Sequence, residues 1–245
     1  MRRRSDWRHV RLLWLLVTCV LSLLAASVAA ADELRPFTAT YDWIWKGMTV
    51  AETTVKLEKN ADGTWTYSSN SSPRGIGKLA PQRPKTVSVL KVTAHGVQPL
   101  SYKGDDGTGS SAKAVDVTYD WNARHIAGVY EGAIVDLALK PDVQDDSSVQ
   151  IALMAALLQG RTPDRFAVLD KNNVREYQYR KEGEETLKTA IGEVPTVIFA
   201  SQRANSPHVN RYWLAPDRGY IPMRVQQKRG DDVQWTMEIR SLERQ

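Results

Sequence analysis

Residues 210–243, NRYWLAPDRGYIPMRVQQKRGDDVQWTMEIRSLE, constrain this chain more than any other stretch. Val233, Trp235, Met237 and Ile239 alternate with Gln234, Thr236, Glu238 and Arg240, the period-two pattern of a strand with one apolar and one wet face. Ahead of it, Ile221, Met223 and Val225 alternate with Pro222, Arg224 and Gln226, and residues 229–232 supply the glycine and acidic residues of a hairpin turn. Pro222 has no backbone N–H, so it belongs at a strand start or where no neighbour needs its donor. Residues 211–214 make a third strand, closed by the turn residues 215–219, APDRG. The result is an antiparallel meander.

The same pattern runs through the rest of the chain. Phe37, Ala39, Tyr41, Trp43 and Trp45 alternate with Thr38, Thr40, Asp42 and Ile44, Lys46-Gly47 turns into a second strand over 49–58, and residues 60–63 form a hairpin signal leading to 64–67. Residues 68–85, SSNSSPRGIGKLAPQRPK, read as one long loop and a candidate lid. Strands resume at 86–93, 99–103 and 115–121, where Val115, Val117, Tyr119 and Trp121 alternate with polar residues, then near 125–131 and 133–140. One helix interrupts them. Asp145, Asp146, Ser147 and Ser148 offer capping oxygens, residues 149–159 are apolar on more than one face, and Gly160 follows. Such a helix must be buried, plugging or lidding a curved sheet. Further strands follow at 165–169, 174–181, 185–190 and 196–202. The fold class is mainly β: an antiparallel open barrel or curved sheet or sandwich with one buried helix near 146–159.

Residues 1–31 read as a secretory signal. Arg2, Arg3, Arg4, Arg8 and Arg11 precede an apolar run, Leu12 to Leu24, and small residues at 27–31 suit signal peptidase. The run is shorter than the ~20 residues of a spanning helix, so no stable membrane span is expected after cleavage. Cys19, the only cysteine, lies in this segment, so residues 32–245 form a single domain without disulfides or thiol chemistry. The expected location is periplasmic. Setting aside those five arginines and Asp6, 28 of the 33 basic and 27 of the 28 acidic residues are left, and this near-neutral balance argues against a nucleic-acid partner.

No catalytic constellation stands out, and neither a cofactor nor a metal is expected. His95, His125 and His208 sit in or beside turns without metal-ligand spacing. Ser201 or Ser206 with His208 lacks a nucleophile elbow, and Asp105-Asp106-Gly107 reads as a plain turn. The aromatic residues say more. Rings on inward strand faces either fill a core or line a pocket for an apolar ligand, and Trp43, Trp45, Tyr119, Trp121 and Trp235 are the candidate ligand-binding residues. The leading reading is binding of a lipid or acyl chain. The alternatives are an envelope protein partner docking by strand addition at exposed sheet edges, or a cell-wall hydrolase using carboxylates such as Asp116 and Glu131.

Several of these features together resemble the bacterial domain-of-unknown-function family 3108 of exported proteins. They are Tyr41-Asp42-Trp43 followed by Gly47, Asp146-Ser147-Ser148 at the helix start, Gly192 before the strand at 196–202, and Tyr212-Trp213-Leu214 followed by Asp217, Tyr220-Ile221-Pro222 and Arg224. The chain is also similar, more loosely, to the periplasmic lipoprotein carrier and receptor folds. That likeness implies an unclosed antiparallel barrel with helical cover and an apolar interior, and it supplies no catalytic residue.

Overall fold

A computed structural model of the chain describes residues 33–79 and 82–244. The signal expected over 1–31 lies outside the described residues. Among those described, the N-terminal half forms β1 (Phe37–Trp45), β2 (Met48–Lys59), β3 (Trp65–Pro73), β4 (Lys85–Thr93), β5 (Gly96–Asp105), β6 (Val115–Asp120), β7 (His125–Tyr130) and β8 (Ala133–Ala138). A short strand, β9 (Val143–Gln144), leads into the helix α1 (Ser148–Leu158). The remainder forms β10 (Arg165–Asp170), β11 (Asn173–Thr189), β12 (Gly192–Arg203), β13 (His208–Ala215), β14 (Ile221–Arg229) and β15 (Asp232–Arg244).

All the strands join one sheet, ordered β8-β7-β6-β5-β4-β3-β2-β1-β15-β14-β13-β12-β11-β10-β9. Chain neighbours are sheet neighbours, and β1 pairs with β15 to join the two halves. The sheet is mainly antiparallel and curved, and it does not close. Its free ends are β8 and β9, which follow each other along the chain. β9 turns inward rather than pairing with β8: Gln144 Nε2 donates to the Val97 carbonyl of β5 at 2.8 Å. Val143 and Leu169 then pack against Tyr102, Val117 and Ile126.

α1 fills one end of the interior, against Phe37, Leu57, Leu90 and Val97. Residues 151–158 are all buried, as a helix apolar on every side requires. Asp145 fixes its start. Oδ1 accepts the backbone N–H groups of Ser147 at 2.8 Å and Ser148 at 2.7 Å, and Oδ2 accepts the Ser88 hydroxyl at 2.7 Å. Ser148 Oγ accepts the Asp145 N–H at 2.9 Å in return, a reciprocal cap. At the other end Gly160 takes a φ of 70°, and the N–H groups of Gly160 and Arg161 donate to the carbonyls of Leu157 and Ala156, both at 2.9 Å. Glycine closes the helix there because a left-handed residue lets both amides reach back.

Two stretches differ from the sequence expectation. β3 does not stop near residue 67 but runs to Pro73, pairing Ser68 with Lys56 and Ser71 with Thr53. Hydroxyls satisfy each other across that pair, Thr53 Oγ1 and Ser71 Oγ lying 2.7 Å apart, so a run with loop composition stays in the sheet. Between β3 and β4 the described residues 74–79 and 82–84 lie outside the strands, with a 3-10 turn at Gly75–Leu79. β11 likewise runs unbroken through Gly183, because a register shift between Lys181 and Gly183 absorbs the extra residue as a bulge. Arg180 and Arg211 hold the displaced Glu182 carboxylate at 2.8 and 2.6 Å. Pro222 pairs with Leu214 of β13, while the β14–β15 ladder begins at Arg224, so its missing donor is not needed.

Candidate functional site

The inward face of β1 shows where the interior is full and where it is open. Phe37, Ala39 and Tyr41 are buried, Trp43 is half-buried and Trp45 is 44% exposed. The gradient follows α1, which packs around Phe37 and begins at Ser148, leaving the space toward Trp45 unfilled.

Adjoining concavities occupy that space. The outermost, about 570 Å³, lies among Trp43, Trp45, Val50, Ile76, Gln227 and Trp235. A second, about 410 Å³, lies among Trp43, Ala51, Ser69, Pro73 and Pro84. The deepest, about 320 Å³, reaches the start of α1 and is lined by Tyr41, Tyr67, Tyr102, Asp146, Gln150, Asn210, Tyr212 and Trp235, among others. They share walls: Trp43 and Val50 border the first two, Trp235 the first and third, and Ser69 the second and third. Trp43 and Trp235 come together because β1 pairs with β15, their ring centroids 4.8 Å apart at an interplanar angle of 31°. Trp235 Nε1 donates to Gln227 Oε1 at 3.2 Å, which satisfies its polar edge.

The 3-10 turn borders the mouth. The Arg74 N–H donates to the Val50 carbonyl at 2.8 Å, and the Arg74 guanidinium meets Glu52 at 2.6 Å. At Gly77 the backbone presses on β2 so closely that a Cβ would stand 1.9 Å from the Val50 oxygen. Trp45, Met48, Ile76, Leu79 and Val233, at the ends of β1, β2 and β15 and in this turn, are large apolar residues left exposed.

Two adjacent carboxyls mark the floor, in different surroundings. Burial pushes Asp145 up to about 6, against the pull of its three hydrogen bonds. Asp146 opens to the cavity, and the Tyr130 hydroxyl donates to it. Asp146 is itself exposed, but the protein atoms around its carboxyl desolvate it in part, and this, with the charges of Asp170 and Glu131, outweighs the Tyr130 hydrogen bond and shifts the carboxyl above the usual range. Burial also raises the Tyr102 and Tyr212 phenols, which stay neutral donors. No lysine, arginine or histidine lines the deepest concavity among the described residues.

Of the sequence candidates, Trp43, Trp45 and Trp235 converge on this space. Tyr119 and Trp121 do not line it. Both belong to a separate cluster under β5–β8, where Tyr119 is buried and Trp121 Nε1 donates to the Pro99 carbonyl at 2.7 Å. Sequence reasoning missed Tyr67, Tyr102, Asp146, Gln150, Asn210 and Tyr212 as lining residues. The alternation of β1 gave the inward parity of Tyr41 and Trp43, but nothing linear tells that Tyr102 and Tyr212 come to the same space.

The remaining polar candidates have ordinary partners. Asp105 and Asp106 accept the N–H groups of Gly107 and Thr108 as turn contacts, and Ser206 Oγ accepts the backbone N–H of His208. Asp116 pairs with Lys103 at 3.1 Å, and Glu131 with Lys171 at 3.5 Å. Among the described residues, no group of three or more His, Cys, Asp and Glu is placed to hold a metal, and no helix is long and apolar enough to cross a membrane.

The family model described as "Protein of unknown function (DUF3108)" matches residues 37–238. The chain belongs to this family. Comparison with curated proteins found no match. Among solved structures, this DUF3108 chain is similar to a beta-barrel-like protein of domain of unknown function DUF1849 from Brucella abortus, with a TM-score of 0.60 and 14% identity, covering 87% of this chain and 99% of that one. That likeness shows a shared beta-barrel-like fold. The MucA/MucB complex of Pseudomonas aeruginosa is also matched, with a TM-score of 0.40 and 14% identity, covering 89% of this chain and 54% of that one.

Proposed function

We propose that this is an exported, periplasmic protein that binds a hydrophobic, envelope-derived ligand, a lipid or acyl chain, inside its curved sheet. Residues 1–31 direct export, and residues 32–245 form the single binding domain. The observation that carries the reading is the set of wall-sharing concavities between the Trp43–Trp235 pair and the start of α1. Ordinary domains fill their interiors; here the helix fills one end and stops. The adjoining concavities give an extended chain somewhere to lie, and the apolar residues at the mouth shield it on entry. Each buried methylene contributes about 0.8 kcal/mol, so a chain of ~12 carbons gains roughly 10 kcal/mol before ordering costs. No polar signature is needed for affinity of that kind.

Native mass spectrometry of the protein isolated from its own periplasm tests the reading. A bound lipid is expected, together with at least ~10-fold weaker binding of a fluorescent acyl probe after Trp43→Ala and Trp235→Ala are combined. A protein that carries no lipid and binds no probe overturns it.

One observation favours an envelope protein as a second partner. β8 is a free edge, with Ile134 77% exposed on it and Val129 of the adjoining β7 42% exposed. An extended peptide can add to such an edge through its backbone. Crosslinking from position 134 in the periplasm should then trap a protein, and capture of none would remove this reading.

A further inference from the structure

We infer that the ligand is an amphiphile with a protonated amine on the end nearest the start of α1, its cation at the solvent-accessible Asp146 and its chain running toward Trp43 and Trp235. This rests on the cavity reading above and adds the chemistry of the head.

Charge is the first argument. Asp146 is the only ionisable acid or base, tyrosines aside, that lines the deepest concavity among the described residues. Its hydrogen-bond partner is a neutral phenol, Tyr130, rather than a cation. Glu131 and Asp170 both act on Asp146 with like charge. Their own cations, Lys171 for Glu131 and Arg175 and Arg203 for Asp170, are engaged with them and do not line the concavity.

The walls are the second argument. Tyr67, Tyr102, Tyr212 and Trp235 surround the same space, and aromatic faces carry negative potential that attracts cations. A fatty acid presents the opposite charge: only neutral donors, the phenols and the Gln150 amide, would receive its carboxylate, and Asp146 would repel it. An amine turns the same groups into partners.

The test uses matched probes with the same twelve-carbon chain, titrated near neutral pH below their micelle concentrations and read by the intrinsic fluorescence of the tryptophan pair. They are dodecylamine, dodecanol and dodecanoate. The amine is expected to bind at least ~10-fold more tightly than the carboxylate, with the alcohol between them. Asp146→Asn should remove the amine preference, and a circular dichroism spectrum matching that of the wild type shows that the variant is folded. Tyr130→Phe, which keeps the carboxylate and frees it from its phenol, should retain the preference.

Equal binding of amine and carboxylate, or tighter binding of carboxylate, overturns the head-group inference and leaves the cavity reading standing. An amine preference that survives Asp146→Asn overturns the assignment to Asp146. Binding of none of the three overturns the cavity reading with it.

Discussion

Replacing Asp145 by asparagine tests the link between the helix cap and the buried charge beneath the cavity. Its carboxyl is fully enclosed and accepts hydrogen bonds from Ser88 Oγ and the N–H groups of Ser147 and Ser148. Those bonds favour the ionised form, and burial opposes it more strongly, moving the group from an ordinary 3.8 to about 6. Between these values the folded state holds a proton that the unfolded chain has released. Stability attributable to this group is therefore present at about pH 4 and below, and is lost as pH rises through about 6. The shift corresponds to roughly 3 kcal/mol across that window. Asparagine has nearly the same shape and no charge. Its amide oxygen can keep the two backbone donors, and the Ser88 hydroxyl can rotate to accept from the amide. Because the unfolded carboxyl is already partly ionised at about pH 4, urea unfolding of both proteins at about pH 4 and pH 7 should show wild-type stability falling by ~2.5 kcal/mol more than that of Asp145→Asn. Contributions from other groups, Asp146 among them, largely cancel in this comparison. Parallel pH profiles for the two proteins would refute the reasoning, since they would mean that the buried carboxyl titrates alike in folded and unfolded chains.

Tyr41→Phe removes a buried hydroxyl that donates to the Pro222 carbonyl at 2.9 Å, so unfolding free energy should drop by ~1–2 kcal/mol, read from a lower urea midpoint at unchanged slope. A drop below about 0.3 kcal/mol would mean that water replaces the bond. Gly77→Ala puts a methyl carbon where the Val50 oxygen stands, so the 3-10 turn must move off β2. The expected result is altered entry and exit rates for a bound acyl probe with the melting temperature nearly unchanged, because no residue of that turn is buried. Unchanged rates would show that the turn does not gate the mouth.

Much of the fold is legible in the chain because a strand advertises itself locally. The alternation of Phe37, Ala39, Tyr41, Trp43 and Trp45 requires one apolar face, and the Gly-containing turns between short runs force neighbours to pair. The helix is equally explicit, since Asp145 and Gly160 bracket a segment apolar on all sides. Composition misled where pairing overrode it: Ser68 to Pro73 has the residues of a loop, yet β2 pairs with it throughout and β4 pairs with Ser68 to Asn70 from the other side.

The candidate site was only partly legible, and the reason lies in the geometry of closure. Parity told which way Trp43, Tyr119, Trp121 and Trp235 point, but inward on a curled sheet can mean toward packed atoms or toward empty space. β9 bends in against β5, so Tyr119 and Trp121 meet a filled cluster. α1 starts beside Ser88 and packs toward Phe37, so Trp43 and Trp235 face the end it leaves open. Asp146 reads in sequence as one more capping acid, and becomes the floor of a cavity because the residue before it does the capping. A strand's own residues determine that it is a strand and which side is oily, since both follow from bonds and side chains a few positions apart. What stands across the interior from that side depends on contacts between residues far apart in the chain, and these exist once the sheet has curled around the helix.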